Sequence, residues 1–440
     1  MGCRAGWSGG GHHEDVTHRL SSRRRWRGAR PAGAAVTAMA VIGMTALAGC
    51  AGDEAASPSA ATLGTAAPLP TDLVDPAIDD PLPFPGYEVD RVTIAPLPGA
   101  TVDTEPPPAL TGWAAFDEEI RRAVLGGGSD AVAVAVAVDG EILHEVALGA
   151  RTPGTFEAVS VSDRFRIASI SKPITAMTVL QLVEDGLVGL DDAVGERIAA
   201  HVGVTASPGA AGVTVRRLLT HTSGFAPYQN VFFRNQVGSC AEAAALGLTR
   251  GVGGGGFQYS NMNYCLLGLL VEALTGQTYE QAVYERLLTP LGISGMRLAP
   301  TYDPGPGEVE HRSVPGRNYM EVLGGAGAWV ATPADLIRIF DALDPDTPGW
   351  KPLQPETVAA MKTAVNSPGA PDRGYGMGLI LYGGGAAGHT GTIESTHAMV
   401  LDRADNITWA ITVSGEHPSE SNHLARIVDR ALVAGGFIAG

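Results

Sequence analysis

The chain has 440 residues, 45% hydrophobic and 17% charged, enough to bury one large core or two ordinary ones. Its formal charge of −16 is unevenly spread: residues 1–49 hold seven Arg and no Lys against Glu14 and Asp15, so the rest carries 23 basic and 44 acidic side chains, a net −21. A body that acidic repels phosphate backbones, which argues against a nucleic-acid partner, and no Cys/His cluster has zinc spacing, so no metal site is expected.

The first segment reads as an address. RRRWRGAR precedes the apolar run AGAAVTAMAVIGMTALA at 32–48, a basic region and a moderate hydrophobic stretch of the secretory kind. Small side chains dominate the run, and its length is at the bottom of the range for a spanning helix. Leu47-Ala48-Gly49-Cys50 resembles a bacterial lipobox, which implies cleavage before Cys50 and a diacylglycerol on its thiol. The plain alternative is an uncleaved anchor with an incidental Cys. Cys240 and Cys265 then remain as an even pair in an oxidising compartment, and a disulfide between them is expected; two separate buried thiols are the alternative. Twelve of the 30 prolines fall between 51 and 110, so residues 50–110 read as an extended tether with one short strand in YEVDRVTIAP at 87–96.

Order rises after residue 111. Trp113, Phe116, Ile120 and Val124 recur at a spacing of three to four, which predicts an amphipathic helix over 112–125. DAVAVAVAVDGEILHEVALGA at 130–150 is two strands about Asp139-Gly140, a hairpin signal. A helix over 174–186 is expected with Ile174, Met177, Leu180 and Val183 on one face, and helices at 263–276 and 279–292 each end at Gly. Residues 397–415 read as strand–turn–strand, followed by an apolar helix at about 420–434. The order predicts an α/β (α+β) domain over 111–440: an antiparallel sheet completed by both termini, flanked by N- and C-terminal helices, with an all-helical subdomain between. A site is expected in the cleft between the two parts.

Three short elements carry chemistry. The first is Ser169-Ile170-Ser171-Lys172, after RFRIA. At a helix start, residues three apart share a face, so the Ser169 hydroxyl and the Lys172 amine lie together, and Pro173 marks the first turn. The helix N-terminus favours negative charge near Ser169, and Lys172 serves as a base once burial and cationic neighbours depress its pKa. The plain alternative, a capping Ser beside a surface Lys, is weakened because the chain has only three lysines. The second element is Tyr259-Ser260-Asn261: a phenol that shuttles a proton if a nearby cation lowers its pKa, and an amide with both donor and acceptor. The third is Gly388-His389-Thr390-Gly391-Thr392, read as lying ahead of a strand, where small residues let a backbone N–H approach a substrate oxygen. Alone it passes for a Gly-rich turn with a surface His.

In this order the elements match S-x-x-K, S-D-N and K-T-G of β-lactamases and penicillin-binding proteins, here as S-I-S-K, Y-S-N and H-T-G. The variant resembles the class C β-lactamase and D-alanyl-D-alanine carboxypeptidase branch, with its serine esterases. RLLTHTSGF at 217–225, YSNMNYCLLGLL at 259–270 and GAGAWVATPADLIRIF at 325–340 support the resemblance, which covers about residues 111–436. It implies a β-lactamase/transpeptidase-like fold and an acyl-enzyme on Ser169, with Lys172 and Tyr259 moving the proton. Asn261 would hold the acyl amide, Thr390 would line the substrate strand, Gly391 lies within that motif, and Thr392 would supply an oxyanion amide beside Ser169, such donors being worth ~3–4 kcal/mol each. His389 replaces the usual Lys, as in actinomycete-type carboxypeptidases of the branch, and a weaker, pH-dependent attraction for a substrate carboxylate follows.

The expected protein is an exported, lipid-anchored, outward-facing monomer without a cofactor, acting on a small-molecule or peptide acyl substrate as a carboxypeptidase or esterase. A true β-lactamase and a non-catalytic peptidoglycan- or penicillin-binding lipoprotein are the alternatives. Gly251–Gly256 fits G-x-G-x-x-G without a strand–helix frame and reads as a loop. His221 reads as a hydrogen-bonded structural residue, while His397 and the aromatics Phe225, Tyr228, Phe232 and Phe233 either line a cleft or pack.

Overall fold

The computed structural model describes residues 110–439; Cys50, the expected signal and the strand expected at 87–96 lie outside them. Helix α1 (Gly112–Val124) leads into β1 (Ala131–Val138) and β2 (Glu141–Gly149). Asp139 (φ 52°) and Gly140 (φ 80°) both turn left-handed between the strands, as the tightest hairpins require. The short β3 (Phe165–Arg166) precedes α2 (Ser171–Glu184), α3 (Cys240–Arg250) and α4 (Asn261–Thr275). Next come β4 (Arg297–Leu298), β5 (Trp329–Ala331) and α5 (Pro333–Asp341). The chain ends with β6 (Arg373–Tyr375), β7 (Ile380–Gly383), β8 (Ala386–Ile393), β9 (Thr396–Asp402), β10 (Ile407–Ser414) and α6 (His423–Ala434).

The main sheet has the order β2-β1-β10-β9-β8-β7-β6, antiparallel throughout, so the first and last parts of the domain share one sheet. Its two faces follow from the alternation AVAVAVAV in β1. Val132, Val134 and Val136 pack with Trp409 and Ile411 of β10 under α1 and α6, which contribute Phe116, Ile120, Leu424 and Val428. Ala135 and Ala137 join Ala410 on the opposite face, in the core that also holds Leu336, Ile337 and Phe340 of α5. A separate three-stranded sheet, β3-β5-β4, was not foreseen, because strands of two or three residues leave no periodicity to read.

Two further expectations are corrected. Residues 171–182 of α2 are buried on every side, not on one face. Its threonines are satisfied internally: Thr178 Oγ1 donates to Ile174 C=O at 3.0 Å and Thr175 Oγ1 to Gly325 C=O at 2.7 Å. The helix over 279–292 is α-helical only at Tyr279–Val283 and continues as a π turn at Tyr284–Leu288.

One buried acid makes stability depend on pH. Asp341, at the end of α5, is 6% exposed, and its Oδ2 has no partner among the described residues. Burial raises its pKa to about 6, with Asp402 and Asp344 adding to the effect. The folded state keeps a proton that the unfolded chain loses near pH 4, so stability falls as pH rises across that window and is flat above it. Asp341→Asn is expected to stabilise the domain by about 2–3 kcal/mol at neutral pH and to give nothing at pH about 4. Urea unfolding at the two pH values checks this; an equal shift at both would contradict it.

Candidate active site

The chain leaves β3 through a sharp turn. Ala168 takes a left-handed φ of 47°, and Ala168–Ile170 form one 3₁₀ turn leading into α2. In a 3₁₀ turn residues i and i+3 eclipse, which sets Ser169 beside Lys172. Ser169 is half-buried and Lys172 fully buried. Lys172 Nζ lies 2.9 Å from Ser169 Oγ, 2.9 Å from Asn261 Oδ1 and 2.8 Å from the Ala326 carbonyl. Burial holds the amine well below its ordinary pKa. Once deprotonated, the amine has two N–H bonds and one lone pair; the two carbonyl-type acceptors then keep the N–H bonds, and the lone pair faces the Ser169 hydroxyl. The depression comes from burial alone; no cationic neighbour contributes, contrary to expectation.

Tyr259 lies over this pair, its ring centroid 4.9 Å from Lys172 Nζ. The ring is 37% exposed, but the hydroxyl is desolvated and meets Ser169. Burial pushes its pKa above the ordinary phenol range, and the Ser169 contact offsets only part of this. A cation was expected to lower it, but burial outweighs every other influence, so Tyr259 stands as a protonated relay.

Asn261 is the first residue of α4, and its Nδ2 makes no hydrogen bond among the described residues. His221 anchors the turn before it: His221 Nδ1 accepts from Ser260 N–H (3.2 Å) and from Asn263 Nδ2 (2.8 Å). Its ring packs among Tyr259, Tyr264 and Tyr375, with centroids 4.3, 5.2 and 4.8 Å away. The L-T-H-T-S-G stretch is thus structural, as read. Phe225 and Phe232 are fully buried packing residues, and Gly251–Gly256 is irregular. Cys240 and Cys265 are disulfide-bonded, Cα–Cα 5.7 Å, tying α3 to α4 one turn beyond Asn261.

The H-T-G segment is not ahead of a strand; it lies inside β8. Gly415 N–H donates to Ser395 C=O at 2.9 Å, which sets the phase of the β9–β10 ladder. Thr396 and Ala398 therefore turn their main chain toward β8, where they meet Ile393 and Gly391. Thr390 and Thr392 point the other way. β7 pairs only with Ala386–Gly388, so from His389 onward that edge is open toward the Ser169 turn. Gly391 permits the approach: a Cβ there would lie 2.2 Å from Ile167 O and 3.1 Å from Ala168 Cβ. The strand is held from behind by Ser421, whose hydroxyl donates to Gly391 C=O (2.6 Å) and contacts Thr392 Oγ1 (2.6 Å) and His397 Nδ1 (3.2 Å). His397 is therefore a buried support, not a cleft residue.

His389 is 1% exposed, and burial holds its pKa below the ordinary imidazole value. It is neutral through the physiological range, so the pH-dependent attraction expected of it near pH 6.5 does not arise. Tyr264, Tyr375 and the Ala326 carbonyl are the parts of the site missed in the sequence. A backbone acceptor has no side-chain signature, and Tyr375 lies on a three-residue strand.

A family model described as Beta-lactamase matches residues 116–434. The chain belongs to the beta-lactamase family. Within this family of serine hydrolases, Esterase EstB of Burkholderia gladioli is 30% identical over 384 residues, covering 73% of this chain and 94% of the esterase. Penicillin-binding protein 4 of Amycolatopsis lactamdurans is 36% identical over 168 residues, 37% of this chain; the chain spans only 42% of that relative's length. A crystal structure of SurE with D-Leu superposes with a TM-score of 0.59 at 27% identity, covering 74% of this chain and 76% of that one.

Proposed function

We propose that the protein is an exported, lipid-anchored serine hydrolase that works through an acyl-enzyme on Ser169, with D-alanyl-D-alanine carboxypeptidase-like or esterase-like activity. The carrying observation is the buried amine of Lys172, its pKa lowered by burial, 2.9 Å from Ser169 Oγ and hydrogen-bonded to Asn261 Oδ1 and Ala326 C=O. Lys172 takes the Ser169 proton as Oγ attacks the acyl carbon. The developing oxyanion meets main-chain N–H groups of Ser169, in the free first turn, and Thr392, on the open edge of β8. Tyr259, protonated and in contact with Ser169, passes a proton to the leaving group and is reprotonated by the Lys172 ammonium, which holds the proton taken from Ser169. Asn261 Nδ2 is free for the acyl amide, and Thr390 lies along the same edge. The penicillin-binding and esterase relatives and the structural relative bound to D-Leu support this range of substrates. The lipobox at Cys50 and the preceding apolar run support the anchor; a Cys50→Ala protein should leave the membrane fraction.

Intact-mass measurement with benzylpenicillin tests the chemistry. A stable adduct that is lost in Ser169→Ala is the expected result for a slow-deacylating, peptidase-like enzyme. Untouched antibiotic with p-nitrophenyl acetate hydrolysis marks the esterase. Neither adduct nor ester hydrolysis would refute the proposal.

A further inference from the structure

The oxyanion donor on β8 is half of a peptide group whose other half is held from behind the strand. Gly391 C=O and Thr392 N–H belong to one trans peptide, so they share a plane and point opposite ways. Gly391 turns its main chain toward Ala398 of β9, which leaves Thr392 N–H on the open edge. Whatever fixes the carbonyl therefore aims the N–H. The ladder to β9 is one restraint, but β7 gives none from His389 onward, so the peptide plane can still rock about the strand axis.

Ser421 supplies the second restraint. A carbonyl oxygen cannot donate, so its 2.6 Å contact with Gly391 C=O takes the one proton of the Ser421 hydroxyl. The other two neighbours of that hydroxyl must then donate to it, Thr392 Oγ1–H at 2.6 Å and His397 Nδ1–H at 3.2 Å. Neither atom makes another hydrogen bond among the described residues, and His397 Nε2 is buried without a partner there. With one proton given and two lone pairs filled, the hydroxyl is locked. Thr392 and His397 face each other across β8 and β9, so Ser421 reaches the carbonyl from the face those two share. Ser421 is 3% exposed, in the segment between β10 and α6. That segment is anchored without it. Glu416 Oε1 accepts from Ser395 N–H at 2.9 Å and Ser395 Oγ at 2.7 Å, and Ser129 Oγ donates to His417 C=O at 2.7 Å. Removing the hydroxyl should thus free the peptide and leave the segment in place.

We propose that Ser421 is a positioning residue for acyl transfer: its hydroxyl, locked by Thr392 and His397, holds the Gly391–Thr392 peptide so that Thr392 N–H meets the oxyanion. The inference rests on the acyl-enzyme reading above and adds to it a residue behind the substrate strand.

The test compares full-length wild type, Ser421→Ala and Ser421→Cys, with p-nitrophenyl acetate as substrate and phenylboronic acid as inhibitor. Boron accepts an electron pair from Ser169 Oγ, the serine proton passes to Lys172, and an oxygen of the tetrahedral adduct takes the oxyanion position. Ser421→Ala is expected to lower kcat about ten-fold, keep KM within about two-fold, and raise the boronate Ki about ten-fold. Ser421→Cys, close in size and a weak donor, should move kcat and Ki the same way and less far. A merely structural role would reduce the fraction of active enzyme, lowering the apparent kcat while the Ki of the remaining sites stays put. A folded Ser421→Ala enzyme with kcat and Ki within about two-fold of wild type overturns the proposal. Should that variant fail to fold, an unmoved Ki in the volume-conserving Ser421→Cys overturns it instead. Hydrolysis that Ser169→Ala abolishes and Ser421→Ala leaves intact sinks this inference alone. Wild type that neither hydrolyses the ester nor binds the boronate overturns the acyl-enzyme reading and this proposal with it.

Discussion

Lys172→Arg is expected to lower kcat/KM by about 10³- to 10⁴-fold, as far as Lys172→Met does. The two substitutions differ in charge and agree in one respect: neither leaves a basic lone pair facing Ser169. A guanidinium does not give up its proton, so retaining the charge gains nothing. Lys172→Met also removes the donor to Asn261 Oδ1 and Ala326 C=O, and each stranded acceptor costs about 1–3 kcal/mol of stability. The unfolding curve thus reports the lost hydrogen bonds, and the acylation rate reports the lost base. The wild-type pH profile gives a further check. Only the neutral amine is active, and burial holds its pKa well below the ordinary range. Activity should therefore persist at neutral pH and fall as pH drops through that lowered value. An Arg variant within ten-fold of wild type would show that Lys172 is not the base.

Gly391→Ala is expected to cost about 10²-fold in kcat with little change in KM. A methyl group there meets Ile167 O at 2.2 Å and Ala168 Cβ at 3.1 Å, both on the turn that carries Ser169. Neither neighbour is the far end of a flexible side chain, so β8 and the turn must part. Thr392 N–H then moves away from the position of the oxyanion, while substrate side-chain contacts remain. Gly126→Ala, where nothing lies within 4 Å of the added carbon, serves as the control and should be indistinguishable from wild type. Steady-state rates for the two variants, with thermal unfolding alongside, decide the matter. A Gly391→Ala enzyme within three-fold of wild type in kcat would mean that β8 supplies no oxyanion donor.

The parts of the site that could be read in advance are those set by neighbours in sequence. Ser169 and Lys172 are three residues apart, and one helical turn brings them together whatever the rest of the fold does. The Asp139-Gly140 hairpin and the face of α1 follow from equally local rules, and the structure has both. The H-T-G segment was misread because its glycines look like a turn. They lie inside β8, where Gly388 and Gly391 face backbone too close for a side chain, at Val400 O and Ile167 O respectively. Helix α2 is buried beyond the one apolar face because its threonines find backbone acceptors inside the core, Thr175 at Gly325 and Thr178 at Ile174.

By itself the sequence determined the pairing of Ser169 with Lys172, the order of the three motifs, the antiparallel sheet built from both termini, and the family these imply. Only the tertiary structure decided in which direction burial moves those groups. It lowers the pKa of Lys172 and His389 and raises that of Tyr259, and their partners come from other elements of the fold: the Ala326 carbonyl, the Tyr375 hydroxyl and the Ser169 hydroxyl. Charge state depends on desolvation and on contacts such as that of Lys172 with Ala326, 154 residues further along the chain, and local pattern carries no record of either.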